Sequence, residues 1–325
     1  LQKLTETNFE KVSGYGTDPY CASAREKIRA ACGAPDADVW FISGGTQSNS
    51  IVIASMLRRW EGVLAASTGH VAAHEAGAIE STGHKVITLP TTNGKITAQQ
   101  VQEYVEWHRN DESTEHIVQP GMVYISYPTE GGTLYSKAEL TELYDVCRRY
   151  GLPLFIDGAR LGYGVMADGA DLTLPEIAHL CDVFYIGGTK VGALFGEAVV
   201  IMNPALKKDF RFIMKQRGGR MAKGRLLGIQ FDALFTDDLY FRISRHADEM
   251  AYQIRDIFVS AGYPLLFDSP TNQQYPIMPD EELAILGKNF GYEYWERTDP
   301  THSGVRFCAS WATTQENVDA LRAAV

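Results

Sequence analysis

The chain has 325 residues, 45% of them hydrophobic and 22% charged, which is enough for one large domain, a smaller second one and a sizeable core. Thirty basic against forty acidic residues give a formal charge of −10 without a Lys/Arg cluster that would track a phosphate backbone, so nucleic acid is excluded as an expected partner. The five cysteines lack C-x-x-C spacing and no apolar run nears the roughly 20 residues that span a bilayer, so a cytoplasmic protein away from membranes is expected.

The start, Leu1-Gln2-Lys3-Leu4, is no secretory signal, and because Leu1 is not methionine we expect further sequence before it. Short apolar runs then read as strands at Val39–Ile42, Val63–Ala66, Lys85–Leu89, Val123–Ser126, Leu154–Ile156, Val183–Ile186 and Ala198–Met202. Between most of them lie stretches with helical spacing, such as Thr46–Arg59, Thr97–His108 and Lys137–Tyr150. This βαβα order predicts an α/β fold with a mostly parallel sheet covered on both faces. From Pro204 to about Ser260 the chain reads as helical with a break at Gly218-Gly219, and short strand and helix signals alternate from there to Val318–Ala324. We expect residues 1–204 to form the large domain, and 205–325 to supply linking helices and a smaller α+β C-terminal domain.

Chemistry-bearing residues fall at the ends of the strand-like runs, where open α/β sheets bind ligands. In Phe41-Ile42-Ser43-Gly44-Gly45-Thr46-Gln47-Ser48-Asn49 a strand passes through two glycines into a helix. Free N–H groups and the helix dipole favour an anion there, and Thr46, Gln47 and Ser48 add donors, although many strand–helix turns of this kind are simple caps. His70 opens the next helical segment, where an imidazole stacks on a flat cofactor, moves protons near pH 7 or merely caps the helix. With His74 it has zinc-like spacing, but Glu75 follows the second histidine and spacing sets no third ligand, so no metal is expected.

Asp157 and Lys190 close two successive strands, Leu154-Phe155-Ile156-Asp157 and Val183-Phe184-Tyr185-Ile186 with Gly187-Gly188-Thr189-Lys190. Each alone fits a turn or a solvated surface. As a pair they match pyridoxal phosphate (PLP), which needs a lysine amine to hold its aldehyde and a carboxylate to keep its ring nitrogen protonated. A rival reading, nicotinamide binding, rests on Gly162-Tyr163-Gly164-Val165-Met166-Ala167, a G-x-G-x-x-A match separated from its strand by Asp157-Gly158-Ala159-Arg160.

Taken in order, Gly14-Tyr15-Gly16-Thr17-Asp18-Pro19, Ser43–Asn49, His70 with Glu75-Ala76-Gly77, Ile156-Asp157-Gly158-Ala159-Arg160, Thr189-Lys190 and Val305-Arg306-Phe307 cover nearly the whole chain. They resemble the threonine aldolase branch of the aspartate-aminotransferase-like (fold type I) PLP enzymes, which also includes β-eliminating lyases. The resemblance implies that Gly45, Thr46 and Gln47 bind the phosphate, His70 stacks over the ring, Asp157 pairs with the ring nitrogen and Lys190 is the Schiff-base lysine. It also implies that Arg160 and Arg306 grip the substrate carboxylate, a role that suits a planar guanidinium. A homodimer or homotetramer acting on an amino acid is expected, with glycine and an aldehyde formed from a β-hydroxy-α-amino acid of the L-threonine or L-allo-threonine type.

The chain departs from the family at two places. Where the family carries Thr-His-Asn, Pro128-Thr129-Glu130-Gly131-Gly132 puts the carboxyl of Glu130 where an imidazole meets the substrate side chain. This keeps a β-eliminating lyase open beside the aldolase. The family's Gly-Gly-Gly-Met-Arg, whose cation reaches a neighbouring subunit's phosphate, appears as Gly218-Gly219-Arg220-Met221-Ala222-Lys223, so that Arg220, Lys223 or Arg225 is expected to replace the arginine, with Lys223 favoured.

Overall fold

The computed structural model describes residues 1–325. Seven strands, β1 (Asp38–Ile42), β2 (Glu61–Ala66), β3 (Val86–Leu89), β4 (Gln119–Ser126), β5 (Leu154–Asp157), β6 (Val183–Gly187) and β7 (Glu197–Ile201), form one sheet in the order β1-β7-β6-β5-β4-β2-β3. Only β7 is reversed, running antiparallel to both β1 and β6. The carboxyl ends of the other six strands therefore share one edge.

Alternate residues of each strand serve opposite faces, as the pleat requires. Val123, Ile125, Phe184 and Ile186 join one hydrophobic cluster, whereas Met122, Tyr124, Val183 and Tyr185 join another. Strands buried on both faces read as unbroken apolar runs, which is why the sequence exposed them. β4 begins at Gln119, ahead of its apolar run, because Glu61 and Gly62 of β2 pair with Gln119 and Pro120.

The helices are α1 (Gln2–Glu6), α2 (Pro19–Ala31), α3 (Gly45–Met56), α4 (His70–Ala73), α5 (Ala98–Asn110), α6 (Lys137–Tyr150), α7 (Leu161–Met166), α8 (Leu174–His179), α9 (Phe210–Gln216), α10 (Arg225–Leu234), α11 (Leu239–Ser260), α12 (Asp280–Leu286) and α13 (Gln315–Ala324). α5, α6, α8 and α13 start with reciprocal side-chain caps such as Ser136 with Glu139, each worth about 1 kcal/mol. α3 starts from Gly44 with no side-chain cap, which leaves its first N–H groups free for something else.

The helical tract after Pro204 is more broken than its periodicity suggests. Asp209, Asp237 and Asp238 adopt φ of 63°, 51° and 54°, a left-handed conformation that aspartate tolerates better than most residues; Asp209 immediately precedes α9, and Asp237 and Asp238 separate α10 from α11. α11 then bridges two cores. Tyr240 and Ala247 pack on the large sheet, and Met250 to Phe258 pack on a smaller cluster with Met278, Val305, Phe307 and Leu321. That cluster lies against a second, antiparallel sheet of β8 (Gln273–Gln274), β9 (Ile277–Pro279), β10 (Glu293–Arg297) and β11 (His302–Cys308), in which β11 pairs with the other three.

The G-x-G-x-x-A segment is not a nucleotide-binding loop. It lies within α7, and a Cβ on Gly162 would come within 2.3 Å of Ser244 Oγ, so this glycine serves the contact between α7 and α11. No helix is long and apolar enough to cross a membrane. Cys21, Cys32, Cys147 and Cys181 are buried and Cys308 is exposed, and all five are free thiols.

Candidate active site

A cavity of about 540 Å³ opens at the carboxyl edge of the large sheet, facing β10 and β11 of the small one. Lys190, His70, Arg160, Arg306 and Glu130 all line it, with Ser67, Thr68, His74, Glu293 and Trp295. These residues come from six separate segments, the loops after β2, β4, β5 and β6 and the strands β10 and β11. A second cavity of about 500 Å³, among Arg148, Pro153, His179 and Asn203, opens at the opposite edge of the sheet and contains none of them.

Asp157, 4% exposed, ends β5 just behind the cleft lining. Its Oδ1 accepts hydrogen bonds from Tyr185 OH at 2.5 Å and Ala159 N at 3.0 Å, and its Oδ2 from Tyr124 OH at 2.6 Å and Asn49 Nδ2 at 3.0 Å. Burial opposes the charge, but the hydroxyls of Tyr124 and Tyr185, aided by His70, outweigh it and hold the carboxyl below its ordinary pKa. Asp157 is therefore a fixed anion.

The next two loops interlock through glycines. Gly187 N donates to Gly158 O at 2.9 Å, and a Cβ on Gly158 would come within 2.0 Å of Tyr185 O, while one on Gly187 would come within 2.2 Å of Ala159 O. Only glycine permits this approach. Beyond it, Gly188 N donates to Glu197 Oε2 at 2.9 Å, and Tyr163 OH donates to the Lys190 carbonyl. The loop is thus held from both sides while the Lys190 side chain opens onto the cleft. Burial, reinforced by the Arg160 charge, lowers the pKa of the Lys190 amine, and burial raises that of the Glu197 carboxyl to about 7.

His70 is fixed at the start of α4. Its Nδ1 lies 2.8 Å from Glu75 Oε1, the same oxygen that accepts from Asn49 Nδ2 at 2.7 Å. Asn49 thereby bridges Glu75 and Asp157. The turn that aims Glu75 back at the imidazole uses left-handed Ala76 and Gly77, at φ 50° and 74°. The hydrogen bond to Glu75 raises the His70 pKa.

Glu130, 8% exposed, accepts at Oε1 from His70 N–H at 2.8 Å and Ser126 Oγ at 2.6 Å. Its Oε2 is buried without a partner. Burial raises the proton affinity of this carboxyl. Arg306 Nη1 donates to Gln273 Oε1 at 3.0 Å, and its guanidinium lies 5.4 Å from the Trp295 ring centroid.

Gly45, Thr46 and Gln47 form the uncapped first turn of α3 at the same sheet edge, and Asn49, one turn on, ties that helix to Asp157. Lys223 is not among the lining residues. It is exposed, on the segment between α9 and α10, whose start touches α3 where Gln47 Nε2 donates to Arg217 O at 3.0 Å. Sequence reasoning gave no role to Tyr124, Tyr185, Tyr163 and Glu197, and none to Asn49 and Glu75 although both lie inside motifs it had singled out.

A buried fixed anion, a cleft-facing amine with lowered pKa and an uncapped helix start fit a ligand with a protonated ring nitrogen, an aldehyde and a phosphate.

Comparison with known proteins places the chain in a family. Residues 4–293 match the model of the beta-eliminating lyase family. A low specificity L-threonine aldolase of Pseudomonas sp. is 31% identical over 98% of this chain and 91% of its own length. The Leishmania major threonine aldolase structure superposes with TM-score 0.96 at 42% identity, covering 99% of this chain and 93% of that one. A Thermus thermophilus aspartate aminotransferase, 14% identical, shares the fold with TM-score 0.66 over 99% of this chain and 89% of its own. The family and the fold neighbours are PLP-dependent enzymes.

Proposed function

The chain belongs to the beta-eliminating lyase family, and from that premise we propose a PLP-dependent carbon–carbon lyase that cleaves a β-hydroxy-α-amino acid of the threonine type to glycine and an aldehyde. The observation that carries the reading is the pairing of Asp157, held ionised under the cleft, with the Lys190 amine opening onto it, in a chain similar to threonine aldolases along nearly its full length.

When bound, PLP supplies an electron sink for the pair released as the Cα–Cβ bond breaks. Lys190 contributes the amine that holds the cofactor, and its lowered pKa keeps more of that amine unprotonated and nucleophilic. Asp157 holds the proton on the ring nitrogen. The free N–H groups of Gly45, Thr46 and Gln47 receive the phosphate, and His70 covers the ring face. Arg160 and Arg306 orient the substrate carboxylate from opposite parts of the cleft.

Glu130 is the group that we assign to the β-hydroxyl. Its Oε2 is buried and unpartnered in the cleft wall, its Oε1 is anchored by two donors, and its raised proton affinity suits a general base near neutral pH. A carboxylate can thus do there what an imidazole does in the relatives. Purified enzyme given PLP and L-threonine, L-allo-threonine or phenylserine should release glycine with acetaldehyde or benzaldehyde. Serine and cysteine derivatives should yield little pyruvate. Pyruvate and ammonia as the main products, with no glycine from any hydroxy amino acid, would assign the enzyme to β-elimination instead.

A further inference from the structure

Arg306 is already engaged by a carboxylate of the chain itself. Glu293 on β10 and Arg306 on β11 are directly opposed in the antiparallel register, and both line the cleft. The Glu293 carboxylate accepts from Arg306 Nη2. Nη1 is taken by Gln273, and Nε is buried without a partner.

A guanidinium binds a carboxylate bidentately through one of two edges, Nη1 with Nη2 or Nε with Nη2. Nη2 carries one hydrogen on each edge, and Glu293 takes one of them. The edge left over ends either at Nη1, held by Gln273, or at the buried Nε, so a second carboxylate meets a guanidinium whose charge is already paired. Arg160, the other cationic wall, has no such partner among the side-chain hydrogen bonds or ion pairs of the structure. We infer that Glu293 is a built-in competitor that the substrate carboxylate must displace from Arg306, so that it sets the affinity for amino acids in this cleft. The inference rests on Arg306 being a substrate-carboxylate ligand.

The arrangement suits exchange. The Arg306 side chain is 15% exposed and anchored by Gln273, whereas that of Glu293 is 66% exposed on an edge strand. An exposed carboxylate can swing into water and regain hydration, so the arginine stays in place while its partner leaves. The same residue can return as glycine departs, which limits retention of a product that carries the same carboxylate.

The opposite role, in which Glu293 merely steers Arg306 into position, predicts the opposite sign. The test uses PLP-loaded enzyme and compares wild type, Glu293→Gln, Arg306→Ala and the double variant for KM and kcat with L-threonine and for Kd with glycine. If Glu293 competes, Glu293→Gln tightens both KM and the glycine Kd, by about two- to fivefold given the strength of exposed ion pairs. In the Arg306→Ala background the Glu293 change then has no effect on either. Arg306→Ala that weakens binding, together with Glu293→Gln that weakens it too or leaves it unchanged, overturns the competitor role alone. Arg306→Ala that leaves glycine binding at the wild-type value overturns the carboxylate-ligand reading and the competitor role with it.

Discussion

At Asp157 two effects compete, and the hydrogen bonds decide the outcome. Burial of a lone carboxylate raises its pKa, yet the hydroxyls of Tyr124 and Tyr185 and the amide of Asn49 donate to it and keep it ionised. The histidine beside it is tuned by the same kind of bond. Because the hydrogen bond to Glu75 raises the His70 pKa, Glu75→Gln should lower it. The raised pKa also contributes stability that is complete below the ordinary histidine value and is lost as pH rises through the folded value, so that acid-side contribution should vanish in the variant. Titration of the His70 ring signals by NMR checks this; an unshifted midpoint would separate Glu75 from the imidazole. Arg160 tests the substrate side of the cleft. Removing a charged hydrogen-bonding partner typically costs about 1.5–3 kcal/mol, so Arg160→Ala should weaken glycine binding by about ten- to a hundredfold. Its PLP content should stay near that of the wild type, and titration of the bound-cofactor absorbance reads both quantities.

α11 joins the large sheet's core to the small one and carries a group that the proposed chemistry does not use. Asp248 is fully buried, both of its carboxylate oxygens lack partners, and burial pushes its pKa up to about 9. An acid whose folded pKa exceeds its unfolded one contributes most below the unfolded value, near 3.8, and that contribution is lost as pH rises toward about 9. Asp248→Asn keeps the shape and removes the titration. The variant should therefore gain thermal stability over the wild type as pH is raised from 5 to 8, and thermal unfolding at several pH values measures this. An equal shift at every pH would mean that the carboxyl does not titrate as its burial implies. A residue of this kind is invisible in sequence, since a charged residue on an amphipathic helix reads as surface. The seven strands were legible because double-sided burial writes a continuous apolar run. Asn49, Glu75, Tyr124 and Tyr185 were not, because what matters is whom they meet: Asn49 and Asp157 are 108 residues apart in sequence. The left-handed aspartates before α9 and α11 were hidden for a different reason, since helical spacing continues across them.

At the scale of the whole molecule, Lys223 marks a place where one chain can serve another. Lys223 is exposed and lies outside the cleft of its own chain, yet its segment begins at Arg217, which contacts Gln47 at the start of α3. We propose that the protein assembles at least as a dimer and that Lys223 serves the neighbouring subunit's phosphate. Most soluble oligomers are closed and symmetric, so a residue that reaches across a two-fold contact does so in both directions, and each site then depends on two chains. This makes complementation possible. A Lys190→Ala subunit has no amine for its own site but keeps a native Lys223, and a Lys223→Ala subunit keeps its amine but lacks the cation that it owes to its neighbour. Each homo-oligomer should be inactive or poorly loaded with PLP. In a mixed dimer, the site on the Lys223→Ala subunit has its own Lys190 and receives Lys223 from the other chain, so one of its two sites is whole. Co-expression of the two variants should restore about a quarter of wild-type activity per total site, since random pairing makes half of the dimers mixed. If Lys223 acts on its own chain instead, no mixed dimer contains an intact site and co-expression restores nothing.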